Sequence, residues 1–349
     1  MPRKIDRDRA RGCLLGLAIG DALGAAQEFA TPGEYPFLEL VSGPHVDIIG
    51  GGPFEIPPYG TTDDTAMAAC LAGSLVERSC FDVEDVAARY TRWAADAADV
   101  GNQTSDVLDR VRSGMPVAEA AAAVWHQKAP PPAGNGALMR TAPIGVAFAL
   151  SPLEALAVAA TDEAAITHWD PRCQLASAGF DAAIATALTS GTTLRPDDLL
   201  QAAFDIKPYA MLRILERDGE SSAVVSAGGD IDNDLRAATA NDPCLYAHDL
   251  HLHDHMGFVR VALRLAFWEL FHAPTFEAAL IDVVNRGGDS DTNGAITGAL
   301  LGAYLGESAI PDRWVAPMIH AHASKNVESP TDLETLLALA DQCAERGGL

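Results

Sequence analysis

Along most of the chain, apolar residues return every three or four positions instead of alternating. That period marks helices with one buried face. It predicts helices over Asp82–Ala98, Pro152–Ala165, Gln174–Ser190, Phe258–Phe271, Phe276–Asn285 and Leu333–Arg346. Two of the starts carry suitable caps, Ser151-Pro152 and Ser329-Pro330-Thr331-Asp332. Strand-like runs are scarce and short, Ala223-Val224-Val225 and Val46–Ile49 being the best. An all-α fold follows. Turn-forming residues concentrate at Thr31–Tyr59, Lys128–Gly136 and roughly Asp218–Asp254. None of these reads as a linker, so a single domain is expected over 1–349. Within it, 205–254 is expected to be an inserted loop or lid.

Two predicted helices carry glycine at every fourth position. The first has Gly12, Gly16, Gly20 and Gly24; the second has Gly294, Gly298, Gly302 and Gly306. Glycine inside a helix costs about 1 kcal/mol relative to alanine. Close packing of backbone on backbone is the natural compensation. In a bilayer this spacing would be a dimerisation face, but the first segment is too short and Asp21 interrupts it. Both helices are therefore expected to be buried in a soluble core, with direct packing of one on the other as one arrangement.

Hydrophobic residues make up 48% of the chain, enough for a sizeable core. The 24 basic residues face 48 acidic ones, giving a formal charge of −24. Nucleic acid and anionic membranes both demand clustered Lys and Arg, so neither is expected as a partner. Six cysteines, Cys13, Cys70, Cys80, Cys173, Cys244 and Cys343, form no Cys-x-x-Cys pair. Met1–Ala10 is charged and has no apolar segment of a signal peptide. A cytoplasmic protein with reduced thiols is the expectation.

Two acidic motifs run directly into apolar helices. Thr62-Asp63-Asp64-Thr65 precedes Ala66–Val76, and Asp289-Ser290-Asp291-Thr292 precedes Asn293–Leu305. A helix start needs one capping oxygen, whereas each motif supplies four oxygen-bearing side chains in a row. Gly287-Gly288 lets the chain turn sharply before the second. Four carboxylates brought together repel unless cations hold them, and hard oxygen ligands select Mg²⁺, Mn²⁺ or Ca²⁺. With the threonine hydroxyls they suit a two-ion site. A competing cluster, His248, Asp249, His251, His253, Asp254 and His255, has residue types that bind Zn²⁺ or Ni²⁺, but no helical spacing aligns it.

These motifs resemble the paired metal motifs of the ADP-ribosylglycohydrolases. Further matches follow in order. Gly16–Glu28 is similar to the family's opening helix and acidic gate, and Asp99-Val100-Gly101-Asn102 to its D-I-G-N segment. Gly134-Asn135-Gly136-Ala137-Leu138-Met139-Arg140 resembles its glycine-rich loop, and Thr167-His168 with Asp170-Pro171 its T-H-x-D-P segment. The matches extend from about residue 11 to 306. Ser290 departs from the family's usual Thr or Ala, Trp169 is bulky for its segment, and Asp205–Asp254 is longer than in simpler members.

The resemblance implies an all-helical fold with a two-Mg²⁺ cleft, Mn²⁺ being a substitute. It implies Thr62, Asp63, Asp64, Asp289, Asp291 and Thr292 as metal ligands. It places Glu28 above the metals and Asp99 near the scissile bond, which with Asp289 make the catalytic set. Gly101, Asn102, Gly134, Asn135, Gly136, Ala137 and His168 would hold ADP-ribose. Without the resemblance, Glu28 reads as a surface residue, Asp99 as a cap, the glycine loop as a turn and His168 as a packed ring. Chemically, a carboxylate such as Asp99 or Glu28 can move the proton that glycosidic cleavage needs. A glycine loop lets backbone N–H groups approach a diphosphate without a basic patch.

The expected activity is Mg²⁺-dependent removal of ADP-ribose from a modified arginine side chain. Serine-linked or other O- or N-linked ADP-ribose is the alternative substrate. A sensor or immunity protein that binds ADP-ribose or masks an ADP-ribosylating toxin is a second class, and a Mg²⁺ phosphohydrolase a third. The partner is an ADP-ribosylated protein or small conjugate, or a transferase or toxin.

Overall fold

The structure is a computed structural model that describes residues 4–30, 45–97, 99–191, 193–219, 221–242, 255–323 and 333–346. Its helices, in chain order, are α1 (Arg7–Gly24), α2 (Asp63–Arg78), α3 (Val83–Trp93), α4 (Asn102–Arg112) and α5 (Val117–Gln127). There follow α6 (Ala142–Ala147), α7 (Leu153–Ala165), α8 (Pro171–Thr189), α9 (Pro196–Asp218) and α10 (Ser221–Ala237). The last five are α11 (Val259–His272), α12 (Phe276–Asn285), α13 (Ser290–Leu305), α14 (Asp312–Ala323) and α15 (Leu333–Arg346). Among the described residues there is no strand, only isolated bridges at Gly51–Ile56 and Gly134–Phe258. The all-α expectation holds.

α1 and α13 are the centre of the molecule. They lie antiparallel, with Gly12 against Gly302, Gly16 against Gly298 and Gly20 against Gly294. A β-carbon at any of these six positions would overlap the facing backbone. The glycine stripes therefore exist to let two backbones touch, and the lost helix propensity is offset by the resulting contact. Nearly every residue of both helices is buried. Ser290 Oγ donates to the Gly24 carbonyl at 2.8 Å, joining the end of one helix to the start of the other. Because the helices run antiparallel, the start of α13 lies beside the end of α1, and both acidic motifs come to this one end of the pair.

Two local expectations change. Val46–Ile49 forms no strand. Ala223-Val224-Val225 is helical, within α10, which turns Val224, Ala227, Ile231 and Leu235 into the core beside α8, α9 and α11. The segment 205–254 is thus helical over 205–218 and 221–237. Residues 243–254, with all of the histidine cluster except His255, lie outside the described residues. No helix is long and apolar enough to cross a membrane among the described residues.

Candidate active site

The two acidic motifs start helices, yet their side chains do not cap them. Thr62 is the N-cap of α2 and Asp289 of α13, and neither makes a side-chain cap bond. The N-terminus of α2 is instead held by Asp21 of α1. Its carboxylate accepts from Thr62 N at 2.9 Å, Thr62 Oγ1 at 3.0 Å and Thr65 N at 3.1 Å, and also from Thr65 Oγ1. Asp63 and Asp64 are left to face the site, and the Thr62 hydroxyl lies between Asp21 and Asp64 Oδ2, 2.9 Å from the latter. On the other side, Gly287 and Gly288 both adopt positive φ and swing the chain into α13.

The structure brings the expected carboxylates together. Oxygens of Glu28, Asp289 and Asp291 lie within 4.8 Å of one another. Asp64 and Asp63 face the same cluster, since the charges acting on Asp64 are those of Asp21, Asp63 and Asp289. Asp291 feels Asp64, Asp289, Glu28 and Asp21. Glu28 therefore joins the cluster instead of standing on the surface, and it is buried. Asp99 also belongs here: α4 is capped by Gly101, so Asp99 is not a cap, and the charge it feels is that of Asp289.

Burial without a counter-charge raises every carboxylate of the group. Glu28 is pushed up to about 8, by burial first and then by Asp99, Asp289 and Asp21. Asp99 rises to about 6 through burial and then Asp289. Burial also drives Asp63, Asp64 and Asp291 well above the ordinary aspartate value. Glu28 Oε2, Asp64 Oδ1 and Asp291 Oδ1 are buried and have no hydrogen-bond partner among the described residues. An orphaned buried carboxylate oxygen is costly. Hard anionic oxygens converging in this way fit a divalent cation.

The remaining expected residues line the same centre. Asn135 donates from Nδ2 to Asp289 Oδ2 at 2.8 Å, and Gly101 N donates to Asp63 Oδ2 at 3.3 Å. Asn102 opens α4 directly beyond Gly101. Thr292 lies in the first turn of α13 and is buried. Ala137 is buried at the end of the glycine loop. Gly134 and Gly136 do not need positive φ; a β-carbon at either would press on the His168 ring, 3.2 Å and 3.0 Å away. His168 packs under this loop with Nδ1 paired to Thr167 Oγ1 at 2.8 Å. Burial and then the charge of Arg140 hold it well below the ordinary histidine value, so it is neutral.

Two residues of the site were not singled out in the sequence. Asp21 looked like an interruption of an apolar helix; a charge inside such a helix is itself the signal. Arg140 looked like the end of the glycine loop. Its fully buried guanidinium lies 4.5 Å over the Tyr90 ring, donates from Nε to Glu163 Oε1 at 2.7 Å, and sits behind Asp63 and His168.

Comparison with known proteins fits this geometry. The sequence pattern described as ADP-ribosylglycohydrolase matches residues 2–348. The chain belongs to the ADP-ribosylglycohydrolase family. That family and its named members are hydrolases. Over 339 residues the chain is 28% identical to the ADP-ribosylarginine hydrolase Tri1 of Serratia proteamaculans, covering 94% of this chain and 80% of that one. It is 29% identical over 340 residues to the ADP-ribosyl-[dinitrogen reductase] glycohydrolase of Rhodospirillum rubrum, covering 95% and 97%. A solved structure titled ADP-ribosylglycohydrolase-related protein complex superposes with a TM-score of 0.72, 30% identity and 98% coverage of both chains.

Proposed function

We infer that this family member is a Mg²⁺-dependent hydrolase that releases ADP-ribose from a modified arginine side chain of a protein. The observation that carries the reading is the carboxylate cluster of Glu28, Asp289 and Asp291, with buried oxygens that have no partner among the described residues. The arginine preference is supported by the activity named for the Serratia relative, an ADP-ribosylarginine hydrolase, and the protein acceptor by that named for the Rhodospirillum relative.

Asp63, Asp64, Asp289 and Asp291, with Thr62 and Thr292, are the residues that would hold two Mg²⁺ ions. Bound there, the ions would orient ribose hydroxyls and polarise water at the anomeric carbon. Asp99 and Glu28 are the proton carriers. In the metal-free site burial raises both above the ordinary carboxylate range, and in catalysis one of the pair as carboxyl can give a proton to the leaving nitrogen while a carboxylate can take one from water. Within Gly134–Ala137, the Gly134 and Asn135 N–H groups are held by Gln103 Oε1 and the Gly257 carbonyl, so Gly136 and Ala137 are the donors for the diphosphate, and neutral His168 fixes the loop from below. Asn135 orients Asp289, and Gly101 orients Asp63. Gly101 and Asn102 border the ribose.

The test is hydrolysis of arginine-, serine- and nucleobase-linked ADP-ribose with and without Mg²⁺, with products identified by mass. Mg²⁺-dependent release of intact ADP-ribose from the arginine conjugate is expected. Turnover of none of them, or release of phosphate in place of ADP-ribose, contradicts the reading.

A further inference from the structure

Beside Glu28 the chain exposes two aromatic rings. Phe29 is 54% exposed and Phe54 37%, and their centroids are 6.4 Å apart, edge to face. Isolated apolar residues on a surface need no explanation, but these two are built into place. Phe29 has φ +57°, a left-handed conformation that a residue with a β-carbon rarely adopts. Its N–H donates to the Gly288 carbonyl at 2.6 Å, and Gly288 N returns a bond to Ala30 O at 3.2 Å. The strained residue therefore sits directly after Glu28 and is tied to the residue directly before Asp289. Strain of this kind gathers where a site must hold a group in position.

Phe54 is fixed as firmly. A tight turn is closed by Gly51 N to Ile56 O at 2.7 Å and Ile56 N to Gly51 O at 2.9 Å. Gly52, at φ +70°, lies so close to the Ala25 carbonyl that a β-carbon would overlap it. The turn is thus clamped onto Ala25, three residues ahead of Glu28, and its tip brings Phe54 to Phe29. Directly before Phe29 stands Glu28, which forms no ion pair with Arg or Lys among the described residues and whose Oε2 has no hydrogen-bond partner there. Aromatic faces beside such a carboxylate are complementary to a flat cation: the rings stack on it and the carboxylate accepts its N–H groups.

We propose that the Phe29–Phe54 lip recognises the guanidinium of an ADP-ribosylated arginine and so sets the preference for that leaving group. The inference rests on the hydrolase reading above and adds the residues that choose among linkages. A serine linkage presents a neutral aliphatic oxygen, which gains little from either ring.

Steady-state kinetics on an ADP-ribosylated arginine peptide and an ADP-ribosylated serine peptide test it, using wild type, Phe54→Ala and Phe54→Tyr at saturating Mg²⁺. Phe54→Ala is expected to raise KM for the arginine peptide about fivefold, the equivalent of a typical exposed cation–π contact. Its kcat should stay within about twofold, its action on the serine peptide should not change, and Phe54→Tyr should restore wild-type KM. Phe29→Ala, which removes the ring but keeps the β-carbon and with it the backbone strain, is the second variant and should raise KM for the arginine peptide alone, with its melting temperature measured in parallel. An unchanged KM in Phe54→Ala, or an equal change on both peptides, overturns the proposal. Wild type that cleaves only the serine peptide overturns it while leaving the hydrolase standing; wild type that cleaves neither removes the hydrolase reading as well.

Discussion

Buried carboxylates at two places in this molecule are treated differently. At the α10–α11 contact, fully buried Asp234 is met by Arg260 Nε at 2.6 Å and by Arg264 Nε at 3.0 Å. Glu163 is likewise met by Arg140 and Tyr90. At the junction of α1, α2 and α13, Asp64, Asp291 and Glu28 are buried too, yet among the described residues no arginine reaches them. Burial alone is therefore not the signature of function here. The first group carries its own positive charge and holds helices together; in the second that charge must arrive from outside.

That contrast can be broken by substitution. The largest effect is expected from Asp234→Ala, which removes the fully buried carboxylate that two guanidinium groups share and should cost about 3–5 kcal/mol of stability. Denaturant unfolding would measure it, and Mg²⁺ should not restore the loss. Next comes Asp291→Asn, which removes a charge from the other group. Turnover should fall more than about 100-fold, beyond the range of an outer-shell change. Yet the metal-free protein should melt at the same or a higher temperature than wild type, because repulsion is relieved. A loss of metal-free stability like that of Asp234→Ala would erase the distinction between the groups.

Asn135→Ala should have an intermediate effect, about 10- to 100-fold on Mg²⁺ affinity or turnover, since it removes the hydrogen bond that orients Asp289. The smallest expected effect is on pH dependence. Glu28 has an ordinary value of 4.5 and a folded value of about 8. The folded state therefore binds more protons than the unfolded state between these limits, and metal-free stability falls as pH rises through that window. The penalty is absent below about 4.5 and complete above about 8. Mg²⁺ competes with those protons. Its stabilising shift in melting temperature should be small near pH 5 and about 2 °C or more larger at pH 8. A shift independent of pH would mean that the ion binds elsewhere.

Much of this was legible in the sequence because the signals are local or periodic. α12 and α15 have the bounds that the apolar period gave, and the glycine stripes announced a close backbone contact. The acidic motifs stood out because four oxygen-bearing side chains exceed what a helix start needs. Other features depend on distant partners. Asp21 accepts from residues 41 and 44 positions away. Arg140 meets Glu163 and Tyr90 through three separate helical segments. α3 stops at Trp93, short of the expected Ala98, and the period continues beyond the residues that form the helix. α10 hid behind a β-branched pair and Gly228-Gly229, which suggest strand and loop locally, while packing against α8, α9 and α11 favours helix. The aromatic lip was invisible for the same reason: nothing in the sequence pairs Phe29 with Phe54.

The central claim is that the carboxylates at the α1–α2–α13 junction are a divalent-cation site that serves hydrolysis. Calorimetric titration of Mg²⁺ into chelator-treated protein at pH 7.5 tests it most directly. Saturable binding with release of protons is predicted, and it should disappear in Asp289→Ala. No saturable binding to the wild-type protein, together with ADP-ribosyl-arginine turnover that survives the chelator, would contradict it.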